Sequence, residues 1–168
     1  VMKFDGTAWA NVGPAGFSAG DATYNSLAFN SAGDTAYVAF QDGANSYKAT
    51  VMLFNGTAWE LVGTAGFSAG TVHIPSLAIS NDGVPYVAYQ DEANPYKATV
   101  MKFDGTAWVN VGPAGFTPGN ISDLSLAISS SGEPYLAFTD VANSYKVSVM
   151  KFDGTNWSEL GGSGALNA

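Results

Sequence analysis

The chain has 168 residues, 46% apolar and only 12% charged, with a net charge of −8 from 14 carboxylates against six lysines and no arginine. Displacing phosphate counterions, or docking on an anionic bilayer, needs a basic face, so no nucleic-acid partner and no membrane insertion are expected. The lack of cysteine excludes disulfides and thiolate chemistry.

The first element is Val1-Met2-Lys3-Phe4, a strand that runs into Asp5-Gly6-Thr7-Ala8-Trp9. The chain writes this hexapeptide, Phe4 to Trp9, four times. It returns at Phe54–Trp59 with Asn55, at Phe103–Trp108, and at Phe152–Trp157 with Asn156 in place of alanine. The tryptophans stand at 9, 59, 108 and 157, spacings of 50, 49 and 49 residues. A strand-rich period of this length signals an array or a propeller. Asp-Gly or Asn-Gly supplies the left-handed backbone of a tight hairpin.

The outer hairpin thus pairs a strand C (Val51–Phe54 and its copies) with a strand D opened by the tryptophan. Strand D closes at Val12-Gly13, Val62-Gly63, Val111-Gly112 and Leu160-Gly161. A connection carrying Ala-Gly-Phe follows, at Ala15, Ala65 and Ala114. Strand A is then Ser26-Leu27-Ala28-Phe29, with copies at Ser76 and Ser125. Strand B is Tyr37-Val38-Ala39-Phe40, with copies at Tyr86 and Tyr135. The one extra residue of the first unit (Asp34-Thr35-Ala36 against Val84-Pro85) falls in the A–B turn, where loops absorb insertions. No 3.6-residue apolar period is present, so almost no helix is expected.

Strands A and B are apolar on both faces, large residues alternating with small, as in a sheet covered on both sides. The expectation is an all-β protein made of four-stranded antiparallel propeller blades. The whole chain, 1–168, forms one array of about 3.5 blades: a half-blade hairpin at 1–13, blades at 24–63, 74–112 and 123–161, and a flexible tail at 162–168. Propellers close with four to eight blades. Completion is therefore expected from outside the 3.5, by a homo-oligomer that closes a ring, by head-to-tail assembly, or as a slice of a longer protein.

The Gly-Thr-Ala-Trp turn, the Val-Gly with its following Ala-Gly-Phe, the Ser-Leu-Ala strand and Tyr37-Val38-Ala39-Phe40-Gln41-Asp42 resemble the β-propeller repeats of bacterial exported and cell-surface proteins. That resemblance implies a propeller fold and an extracellular or cell-surface location, and no single activity. The turn before each tryptophan also resembles an Asp-box hairpin, as in sialidases. It departs by crowding Asp5, Gly6 and Trp9 together and by lacking the serine or threonine two before the aspartate. Sialidase chemistry needs an arginine cluster, which this chain does not have.

Asp42, Asp91 and Asp140 follow strand B in every unit. They are either a ring of carboxylates for Ca²⁺ or sugar hydroxyls, or acceptors for backbone N–H groups of the B–C turn. Trp9, Trp59, Trp108 and Trp157 are repeat anchors or sugar-stacking platforms; Gly6, Gly56, Gly105 and Gly154 are the turn anchors. Tyr47, Tyr96 and Tyr145, each followed by lysine in the B–C loop, are the preferred ligand-binding candidates. His73 stands alone in the D–A connection, without a second metal ligand or a nucleophile to activate. No catalytic residue, metal site or required cofactor is expected. Repetition without one singular reactive constellation points to a non-enzymatic interaction or structural module. The alternative is a lectin-like propeller with glycans held between blades or in the B–C loops.

Overall fold

The computed structural model describes residues 1–161, and the expected tail at 162–168 lies outside them. The protein is all-β, with one short 3₁₀ turn at Gly43–Asn45 among the described residues. A two-stranded hairpin comes first, β1 (Met2–Phe4) and β2 (Trp9–Asn11). Three four-stranded antiparallel sheets follow, each in simple chain order. Sheet 1 is β3 (Ala22–Phe29), β4 (Ala36–Asp42), β5 (Lys48–Phe54) and β6 (Trp59–Leu61). Sheet 2 is β7 (Val72–Ile79), β8 (Pro85–Asp91), β9 (Lys97–Phe103) and β10 (Trp108–Asn110). Sheet 3 is β11 (Ile121–Ile128), β12 (Pro134–Asp140), β13 (Lys146–Phe152) and β14 (Trp157–Glu159). The first strands, β3, β7 and β11, lie against one another and the short tryptophan strands lie outermost. These are the blades of a partial propeller, and they do not close into a barrel.

Alternation within each strand makes two unlike faces. The front of sheet 2 carries Val72, Leu77, Val87, Tyr89 and Trp108, and it packs on Ala39, Ala49 and Val51 from the back of sheet 1. Sheet 3 repeats this with Ile121, Leu126, Leu136 and Phe138 on Ala88, Ala98 and Val100. Bulky side chains thus enter the space that alanines leave, which lets neighbouring sheets approach without voids. Sheet 2 is covered on both sides: Val87 and Ala88, adjacent in one strand, are both fully buried. No unit buries its own apolar surface; its neighbour does so.

Polar staples set the register between sheets. The Ser-Leu-Ala serine points across the gap, so Ser26 Oγ accepts from Leu77 N and Ser76 Oγ from Leu126 N, each at 3.0 Å. Gln41 Nε2 donates to Val72 O at 2.6 Å, and Gln90 Nε2 makes the same bond to Ile121 O. At the rim each tryptophan reaches back to the preceding repeat. Trp59, Trp108 and Trp157 donate from Nε1 to Val12 O, Val62 O and Val111 O at 2.9, 2.8 and 2.7 Å. The Ala-Gly-Phe phenylalanines stack on them, Phe17, Phe67 and Phe116 at centroid distances of 4.3, 4.1 and 4.2 Å. The glycine between carbonyl and phenylalanine has a structural cause. Gly63 has φ +73°, and a Cβ there would stand 2.8 Å from the ring of Phe103.

The C–D turns are closed by their first residue. Asp5 Oδ1 accepts from Thr7 N and Ala8 N at 2.8 and 2.9 Å, and Gly6 sits at φ +104°. Asp104 and Asp153 repeat the arrangement, and Asn55 does so with a neutral amide oxygen. These backbone donors hold the three exposed aspartates below their ordinary value of 3.8. A depressed folded-state value means that the carboxylate contribution is complete above 3.8 and is lost as pH falls through the lowered value. Amide exchange at Thr7, Ala8, Thr106 and Ala107 is therefore expected to accelerate in acid relative to Thr57 and Ala58, whose Asn55 cap cannot titrate. Equal behaviour of all four turns would contradict this account.

Candidate functional site

Strand A is longer than the pattern suggests. It begins at Ala22, Val72 and Ile121, before a register shift between Thr23 and Ser26, His73 and Ser76, and Ile121 and Leu124. The shift is a β-bulge, which breaks the period of two and hides the first half of the strand from a pattern reading. His73 accordingly lies in β7, opposite Gln90, and not in the D–A connection where the sequence placed it. In the first two sheets the bulge also holds Tyr24 and Ile74 at φ 50° and 45°. A β-branched residue in that region is strained, and bulges of this kind re-aim side chains beside binding sites.

The consequence is a cluster that bridges two sheets. The His73 ring meets Tyr24 of sheet 1 edge-on at 6.2 Å and Tyr96 of the following B–C loop at 6.0 Å. His73 Nε2 lies 3.7 Å from Glu92 Oε2. Tyr24 and Tyr96 are 52% and 43% exposed, so two aromatic faces and a carboxylate stand open to solvent around one imidazole. Tyr24 and Glu92 escaped the sequence reading because neither recurs in the other copies; that failure to recur was itself the available signal.

Tyr47, Tyr96 and Tyr145 share one backbone feature. All three have left-handed φ of 59°, 55° and 60°. The carbonyls of Tyr47 and Tyr96 accept from Val72 N and Ile121 N of the next sheet. Their main chain ties blade to blade while their rings are turned outward. Only Tyr96 is brought against His73; rings equivalent to it do not acquire such a neighbour, because Thr23 and Ser122 occupy the place of His73.

Asp42, Asp91 and Asp140 are not a ring of open carboxylates: they are 2%, 1% and 4% exposed. Asp42 accepts from Ala44 N, Asn45 Nδ2 and Thr50 Oγ1 at 3.0, 2.9 and 2.7 Å, and Asp91 from Ala93 N, Asn94 Nδ2 and Thr99 Oγ1 at 3.0, 2.9 and 2.8 Å. The aspartate faces into the blade because the B–C loop and the threonine of the following strand, β5 or β9, both donate to it. Among the described residues, no three potential His, Cys, Asp or Glu ligands come together as a metal centre. Tyr89, beside Asp91, is fully buried with its hydroxyl 3.2 Å from Met101 Sδ, and burial and then the Asp91 charge push its ionisation well up.

No protein-family model matches the chain, nor does any curated protein. Solved structures do. A candidate glycosidase from Bacteroides thetaiotaomicron superposes with TM-score 0.54 at 15% identity, over 86% of this chain and 51% of its own. A fucose lectin from Kordia zhangzhouensis, in complex with methyl-fucoside, gives 0.52 at 10% identity, over 81% and 96%. An exo-β-1,3-galactanase from Clostridium thermocellum gives 0.53 at 14%, over 83% and 36%. The likeness is one of fold. This chain spans about half the length of the glycosidase-like structure and nearly all of the lectin. These neighbours overturn the expectation that a repeated blade array is not an enzyme. Similar repeated sheets occur in this galactanase and in a polysaccharide lyase, matched over 36% and 35% of those chains, so a regular blade array does not by itself argue against an enzyme.

Proposed function

We propose that the chain binds carbohydrate on the face where the strand-A bulges meet the B–C loops, at or outside the cell surface. The observation that carries this reading is the Tyr24–His73–Tyr96 cluster with Glu92 at its edge. Pyranose rings have an apolar C–H face and a polar rim. Two exposed aromatic faces match the first, and an imidazole and a carboxylate match the second. Structural likeness to a fucose lectin and to glycosidase-like proteins supports the same class of ligand. The chain has no arginine and a charge of −8, so the sugars that suit it are neutral; a uronic or sialic acid would meet repulsion.

Titration with neutral glycosides and oligosaccharides, methyl-fucoside and β-1,3-galactan fragments among them, tests the reading. Tyr96→Ala and His73→Ala are each expected to lower affinity at least tenfold. Tyr145→Ala, on a loop with no histidine beside it, is expected to leave affinity unchanged. Absence of binding to any neutral sugar at millimolar concentration would end the proposal.

A further inference from the structure

The two exposed tyrosines of the candidate site do not form one surface. Tyr24 stands at 79° to the His73 ring and Tyr96 at 32°, so the two phenol planes cannot be parallel. They also come from different sheets. Tyr96, His73 and Glu92 all belong to sheet 2 and its B–C loop, and the acidic and basic groups meet there. Tyr24 belongs to sheet 1 and brings a ring without a charge. A pyranose lies flat on one aromatic plane at a time, so a single sugar residue leaves one of these two platforms unused.

The openness of Tyr24 belongs to its place in the blade. Ile74 and Asp123 occupy the same place in sheets 2 and 3; with a complete sheet before each of them, Ile74 is half-buried and Asp123 is exposed. A chain of side-chain hydrogen bonds fixes the spacing between the platforms. Thr23, next to Tyr24, donates from Oγ1 to Gln41 Oε1, and Gln41 Nε2 donates to the carbonyl of Val72, next to His73. The two platforms are therefore presented at a set distance and a set angle before any ligand arrives, which spares the cost of ordering them on binding.

We infer that the site takes a neutral oligosaccharide of two or more pyranose units, which crosses the seam between sheets 1 and 2 with a linkage that turns one ring out of the plane of the next. This rests on the carbohydrate reading above. One unit stacks on Tyr96, where the Glu92 carboxylate accepts from its hydroxyls and the His73 imidazole bonds to them. The next unit stacks on Tyr24, which supplies an apolar face alone. The sheet 2 groups thus select the sugar, and the sheet 1 ring selects for chain length. A flat ribbon of coplanar sugar rings would engage one platform and miss the other.

Calorimetric titration of the full chain compares methyl β-galactoside with β-1,3-linked galactobiose. The disaccharide is expected to bind about fivefold tighter, the gain of one further stacking contact. Tyr24→Asn removes the ring and suits the left-handed backbone of that position. It is expected to abolish the gain while leaving the methyl glycoside and the melting temperature unchanged. Tyr24→Phe keeps the stacking face and is expected to keep the gain. Equal affinities of the two ligands would overturn the inference and leave the carbohydrate reading standing, as would a folded Tyr24→Asn chain that still prefers the disaccharide. No binding of either ligand at millimolar concentration would also overturn it, whereas the carbohydrate reading falls only if the wider set of neutral sugars fails too.

Discussion

Trp108→Ala is expected to cost about 3–5 kcal/mol of stability, the usual range for truncating a large buried aromatic, while Trp9→Ala is expected to change it by less than about 1 kcal/mol. The two residues sit in the same Gly-Thr-Ala-Trp motif. Trp108 is 9% exposed, lies flat on Phe67 with 8° between the rings, and donates to Val62 O. Trp9 is 65% exposed and touches Phe4 of its own hairpin. Urea unfolding at constant m-value measures both. Similar losses at the two positions would mean that the motif works inside its own hairpin and not between repeats.

Asp91→Ala is the second large effect, expected at about 3–4 kcal/mol, because it strands buried donors as well as removing a charge. The backbone N–H of Ala93, the Asn94 amide and the Thr99 hydroxyl all lose their acceptor. Thr99 Oγ1 in turn accepts from Gly115 N at 2.9 Å, so the loss reaches the connection leading to sheet 3. Asp140→Ala provides the internal comparison. There Asp140 accepts from Ala142 N, while the buried Asn143 Nδ2 and Ser148 Oγ have no partner among the described residues. Less is lost where less is made, and about 1–2 kcal/mol is expected. Equal costs at the two aspartates would show that the charge alone matters and that the surrounding donors do not.

The exchange of Thr50 and Thr99 for Ser148 is visible in the sequence, but its meaning is not. Only the structure shows that the threonine hydroxyl joins an aspartate of its own blade to a glycine of the next connection. The aspartates illustrate the same limit. Their regular spacing suits an open ring of ligands as well as it suits three separate loop closures. Burial decides between these, and burial depends on where the surrounding donors point.

The sequence by itself determined the period, the hairpins and the four-stranded blade, since turn chemistry and strand alternation act over a few residues. Asp-Gly closes its turn through its own side chain and the amides two and three residues on, whatever surrounds it. The tertiary structure alone decided which copy of each motif is covered, because burial in a stack is set by a neighbour and not by the motif. It also decided the candidate site. Tyr24, His73 and Tyr96 come from two sheets and a loop, and a bulge that a period-of-two reading cannot see brings them together.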